Sequence, residues 1–224
     1  MRAALDALVA QDARLARIEA AAGPLPWRVR AGGFEGLLQI VVGQQISNQA
    51  ALAIWRRLAA HPRALEPNGL LTLDEAVLRG LGLSRPKVAH ARSLASAFAS
   101  GQLSAEALAL LPDAEAIAAI TAVRGLGPWT AEVYLLFALQ RQDVFPAGDI
   151  AVAGAVADIL GLPRRPDPRT LRLMADAWRP SRALAARLLW HHWRRLTGRP
   201  SFDDAPPALR EAGTPIYPAF TSPG

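Results

Sequence analysis

The segment Val123-Arg-Gly-Leu-Gly-Pro-Trp-Thr-Ala131 lies between two stretches with helical periodicity. Glycines at 125 and 127 carry no Cβ, so the backbone can turn tightly and a partner can approach it closely. Pro128 suits the first turn of a following helix, where its missing N–H costs nothing. The N-terminus of that helix offers unpaired N–H groups and the positive end of the helix dipole. These features predict a helix–turn–helix able to cradle a phosphate oxygen. A plain helix–helix connection uses the same residues, so this segment alone leaves both readings open.

Eighteen residues after Leu126 begins Val144-Phe-Pro-Ala-Gly-Asp149-Ile-Ala-Val152. Asp149 stands where an apolar helix starts. Aspartate caps helices at such positions, because its oxygens accept the first free N–H groups. A carboxylate there can also stand at the mouth of a cleft. Further outward, helical spacing predicts helices over 3–21, from Phe34 to a break near Gly43–Ser47, and over 48–60. Short helices follow near 72–80, 85–100, 104–110 and 113–122. Others run from Trp129 to Leu139, from Asp149 to about Gly161, and over 168–178 and 181–196. No segment reads as a strand, and the fold class is all-α. The region after Ser201 is rich in proline and lacks periodicity, which predicts a loosely packed extension over 201–224.

The 224 residues are 51% hydrophobic and 20% charged, enough apolar material for a packed core. There is no cysteine, which excludes disulfides, thiolate zinc sites, a cysteine nucleophile and cysteine-held iron–sulfur clusters. No apolar run reaches the roughly 18 residues that suggest a membrane span. The expectation is a cytoplasmic protein, nucleoid-associated if bacterial. Net charge is +6, with twenty-four arginines and the single lysine Lys87. Ten arginines and three aspartates fall between Asp158 and Pro200, a local excess of +7 that suits a polyanionic partner. An arginine-biased composition produces the same excess without a partner. The four histidines show no metal-ligand spacing.

Three segments together resemble the helix–hairpin–helix DNA glycosylase superfamily, in its short-form 3-methyladenine DNA glycosylase II branch. They are the hairpin with its downstream Asp149, the stretch Phe34-Glu-Gly-Leu-Leu-Gln-Ile-Val-Val-Gly-Gln-Gln-Ile-Ser47, and Trp178-Arg-Pro-Ser-Arg-Ala-Leu-Ala-Ala-Arg-Leu-Leu-Trp190. The resemblance covers about residues 25–196. It implies two helical lobes with a cleft between them inside a 1–200 domain. One lobe is mainly 36–145; the other combines the N-terminal region with 146–200.

The resemblance also implies roles. Asp149 is the catalytic carboxylate. Trp129 and Trp190 line the base pocket, with Tyr134 and Phe34 as weaker members that also suit the core. Gln45 is the wedge that fills the gap left by a flipped base, flanked by Gln44 and Ser47. Arg124, Gly125, Gly127 and Thr130 hold DNA phosphates, joined by Lys87 and Arg182. Backbone carbonyls of Thr121, Val123 and Leu126 hold a monovalent cation; no cofactor serves catalysis. Bifunctional relatives have lysine where this chain has Trp129, so the enzyme is expected to hydrolyse the N-glycosidic bond without cutting the strand. Ile150 follows Asp149 where some members place an aromatic residue. The partner is double-stranded DNA with a damaged base, the substrate an alkylated purine, and the protein a monomer. Two rivals remain: a glycosylase for deaminated or etheno purines, and a helix–hairpin–helix module that only binds DNA.

Overall fold

The computed structural model describes residues 2–198. Within them the chain forms thirteen α-helices, one 3-10 turn and no strand. In order these are α1 (Arg2–Gln11), α2 (Ala13–Ala22), α3 (Gly33–Gly43), α4 (Asn48–Ala59), α5 (Pro67–Thr72), α6 (Glu75–Gly80) and α7 (Arg85–Ala99). Then come α8 (Ala105–Leu110), α9 (Asp113–Thr121), α10 (Pro128–Phe137), α11 (Ile150–Leu160), α12 (Pro168–Ala175), the 3-10 turn Asp176–Trp178 and α13 (Arg182–Thr197). The expected 201–224 extension falls outside the described residues. Among the described residues no helix is long and apolar enough to cross a membrane.

The helices pack in two sets. In one, α3 lies against α4, α7, α8 and α10, while α10 also packs on α9. In the other, α13 packs on α2 and α11, and the 3-10 turn touches α1, α12 and α13. A single hydrophobic core runs through both. Helix α10 is its axis, for every residue from Thr130 to Phe137 is buried. The junction between the sets therefore lies along α10 and the loop from Ala138 to Asp149.

The N-terminal helix expected over 3–21 is broken at Asp12. Its side chain caps α2 by accepting from the Arg14 N–H, and it also takes the Arg14 guanidinium at 2.7 Å and the Trp178 indole N–H at 3.0 Å. The Leu5, Leu8, Leu15, Ile18 spacing conceals the break, because the apolar face continues across it. Helix α5 was also missed: it has six residues and starts with Pro67 at its first turn, too short for a periodic signal. The helix expected over 168–178 ends as α12 at Ala175 and tightens into the 3-10 turn.

The hydrogen bond from Arg14 holds the Asp12 carboxyl at about 2, below its usual 3.8, helped by Trp178 and opposed by burial. A lowered folded-state pKa stabilises the fold above the unfolded value, and that contribution is lost as pH falls through about 2. Arg14 is half exposed, so screening reduces the gain to about 1–2 kcal/mol. Asp12→Asn is expected to lose about this much stability at pH 7, with the gap to wild type closing between pH 4 and 2. Urea unfolding of both proteins across that range measures it; a gap independent of pH contradicts the assignment.

Candidate active site

Asp149 is the N-cap of α11 and is only 9% exposed. Its Oδ1 accepts the backbone N–H of Ala151 at 2.8 Å and of Val152 at 2.9 Å. Its Oδ2 accepts the indole N–H of Trp129 at 2.8 Å. Capping and the placement of a carboxylate are thus one arrangement: the cap bonds use one oxygen, and the other faces the hairpin helix α10. Ile150, the next residue, is 72% exposed, so an aliphatic side chain stands at the surface beside the carboxylate.

The hairpin joins α9 to α10. The Leu126 N–H donates to the Val123 carbonyl at 3.1 Å and closes the turn. Gly125 has φ +91°, a region that disfavours any side chain, and a Cβ there would lie 2.2 Å from the His90 ring of α7. The hairpin is therefore packed directly onto α7. Gly127 differs: it caps α10 with extended backbone, and a Cβ there would meet no atom within 4 Å. Its bare backbone borders open space, as a phosphate contact requires. Arg124 is exposed beside it. Thr130 is buried, and its Oγ1 accepts a hydrogen bond from the Gln44 side-chain amide at 2.9 Å.

That bond reaches the loop between α3 and α4, where Gln45 is exposed with φ +57°. The loop is fastened on three sides. Gln44 ties it to Thr130; the Lys87 ammonium donates to the Val42 carbonyl at 2.6 Å; Ser47 caps α4 by accepting from the Ala50 N–H. Burial pushes the Lys87 ammonium below its ordinary pKa. Gln44, Ser47 and Lys87, expected as DNA contacts, therefore have partners inside the protein and hold Gln45 outward. Arg182, another expected DNA contact, binds both carboxylate oxygens of Asp143 and its main-chain carbonyl. Asp143 also takes Arg179, so these arginines anchor the loop that leads to Asp149. Asp143 went unnoticed in the sequence because its partners lie 36 and 39 residues away.

The four aromatic residues expected around a base have different surroundings. Trp129 is half-buried and bonded to Asp149. Trp190 of α13 stacks on Phe137, with ring centroids 5.3 Å apart. It lines a shallow depression with Leu25, Pro26, Arg28, Phe137, Arg187 and Arg194, which neither Asp149 nor Trp129 joins. Tyr134 is fully buried, and its hydroxyl accepts the Gly33 N–H at 2.7 Å. Phe34 is buried edge-on against Phe98. Tyr134 and Phe34 sit in the core because α3 and α10 pack face to face.

Arg187 carries an unexpected role beneath this region. It is 5% exposed, donates to the Arg28 and Leu136 carbonyls, and lies between the rings of Trp27 and Phe137 at 4.3 and 4.5 Å. Its signal was available: on α13 it shares a face with Ala183, Leu184 and Trp190, where a charge is out of place. Buried Glu132 pairs with half-exposed Arg172 at 2.9 Å; burial raises the Glu132 carboxyl pKa while Arg172 and Arg182 lower it.

The carbonyls of Thr121, Val123 and Leu126 lie at the end of α9 and in the turn. Helix-end carbonyls have no intrahelical partner, and that of Val123, which accepts one N–H, keeps a second lone pair. Three neutral oxygens fit a monovalent cation better than a divalent one.

A family model described as HhH-GPD superfamily base excision DNA repair protein matches residues 38–180. The chain is 30% identical over 161 residues to DNA-3-methyladenine glycosylase 1 of Schizosaccharomyces pombe, covering 70% of this chain and 71% of that protein. Its fold is similar to the S. pombe 3-methyladenine DNA glycosylase solved in complex with abasic DNA, with a TM-score of 0.78, 27% identity, and 87% and 96% of the two chains covered. It is also similar to a DNA-3-methyladenine glycosidase from Bacillus halodurans, with a TM-score of 0.72, 29% identity, and 90% and 94% covered. With its hairpin, its capped aspartate and these matches, the chain belongs to the HhH-GPD superfamily of base excision DNA repair proteins.

Proposed function

We infer that this protein is a monofunctional DNA glycosylase that removes alkylated purines, of the 3-methyladenine and 7-methylguanine type, from double-stranded DNA. The observation that carries the reading is Asp149: a nearly buried carboxylate held by three N–H groups where the hairpin helix meets α11, in a chain of this family. The target base lies inside a duplex, so the nucleotide must be flipped out before the bond is reached. Exposed Gln45, on its fastened loop, fills the gap, and the hairpin backbone around Gly127 takes the phosphates. As the C1′–N bond breaks, its electron pair goes to the base and positive charge develops on the sugar. Asp149 stabilises that charge. Water then bonds to C1′ and gives up a proton, leaving an abasic site. An alkylated purine already carries positive charge and leaves readily, so a single carboxylate suffices. The carbonyls of Thr121, Val123 and Leu126 would hold a monovalent cation, which supplies positive charge near the phosphates and no chemistry.

No lysine is available to attack the sugar. The only one in the chain, Lys87, is on α7 with its ammonium bonded to Val42. Purified protein is expected to release free methylated purine from methylated duplex DNA and to leave abasic sites in an unbroken strand. Borohydride is expected to trap no enzyme–DNA adduct. Base release without alkylated substrate preference moves the reading to deaminated or etheno purines; binding with no release of any base reduces the protein to a DNA-binding module.

A further inference from the structure

We propose that Trp129 is the positioning residue of the catalytic carboxylate, acting through its indole N–H. The inference rests on the reading of Asp149 as catalytic. Two backbone amides fix Oδ1 of Asp149, which leaves rotation of Oδ2 to be controlled from elsewhere. The Trp129 N–H is the group that meets Oδ2, at 2.8 Å. Its own position is firm, because Trp129 lies in the first turn of a helix whose next eight residues are all buried. The bond thus spans the two helical sets and aims one particular oxygen.

The choice of donor matters. An arginine or lysine in this place would hold the carboxylate and also cancel its charge. Asp149 makes no ion pair among the described residues, and the indole is a neutral donor. The carboxylate is therefore fixed in direction with its full negative charge kept for the sugar. The same site cannot hold its aspartate so and also use lysine as a nucleophile, so one residue separates positioned hydrolysis from Schiff-base chemistry. The edge of the indole is committed to Asp149; any contact with the base is left to the ring face.

The experiment separates the N–H from the ring. Trp129→Phe removes the N–H and part of the ring; replacement of Trp129 by 3-benzothienylalanine exchanges N–H for sulfur and keeps the bicyclic shape. Base release is followed in single turnover at saturating enzyme, on a duplex with one 7-methylguanine, beside the Kd for DNA containing an abasic site. Each replacement is expected to slow release by about 10–100-fold, the worth of a hydrogen bond to a charged group, with Kd unchanged. In an Asp149→Asn background the same replacements are expected to cost almost nothing more, because the bond they remove is already gone. Wild-type release by the benzothienylalanine protein, or a loss confined to Kd, overturns the proposal and leaves Trp129 as a stacking surface. Full release by Asp149→Asn itself overturns the catalytic reading instead.

Discussion

Asp149→Asn is expected to lower base release by about 10³-fold or more while leaving DNA binding intact. The substitution isolates charge. Asparagine keeps a carbonyl oxygen that can accept from Ala151 and Val152, so the cap of α11 survives. Its amide nitrogen replaces Oδ2 and faces the Trp129 N–H, so donor meets donor. That mismatch costs about 1–2 kcal/mol of stability, which a thermal melt records. The larger effect is on the transition state. Losing about 4 kcal/mol of attraction between a carboxylate and a developing sugar cation corresponds to about a thousandfold in rate. Single-turnover release from methylated duplex, with Kd measured in parallel, tests it. Release near the wild-type rate would leave Asp149 with only its capping role.

Arg187→Ala is expected to destabilise the fold by about 3–5 kcal/mol, because it strips the donor from two carbonyls and removes packed side-chain volume between two rings. The guanidinium supports the Arg28 and Leu136 carbonyls and fills the space between Trp27 and Phe137. Alanine leaves those carbonyls short of a donor and opens a gap beside α10. For a chain of this size the melting temperature falls by about 10 °C or more. Arg187→Lys keeps a charge and the aliphatic stem but loses the planar fork, so it is expected to fall between the two. Calorimetry of the three proteins decides; an alanine variant within about 1 kcal/mol of wild type contradicts a supporting role for Arg187 in the core.

What the sequence disclosed and what it withheld follow from distance along the chain. The hairpin was readable because glycine, proline and helical spacing act within a few residues. Asp149 was readable for the same reason: its cap bonds reach two and three residues forward. The remaining contacts of the site are remote. Gln44 finds Thr130 across 86 residues, Lys87 finds Val42 across 45, and Arg187 finds Arg28 across 159. No local pattern reports such pairs, so the internal partners of Gln44 and Lys87, both expected as DNA contacts, could not be read from the sequence. Trp129 shows the same limit in milder form: its place beside the hairpin was legible, but not the bond that its nitrogen makes.

The arginines of the second half bear on how the protein meets a polyelectrolyte. Arg165, Arg172, Arg179, Arg182, Arg187 and Arg194 each contact a carboxylate, a carbonyl, a ring or an imidazole of the protein. Their charge contributes to a general attraction without each one claiming a phosphate. Main-chain amides, such as the hairpin would offer, hold phosphate through fixed dipoles and carry no net charge of their own. Each displaced sodium or potassium ion marks a phosphate neutralised by a cation, so counterion release counts only part of such a contact set. The grip of this fold on a duplex is accordingly expected to be less sensitive to ionic strength than its arginine content suggests.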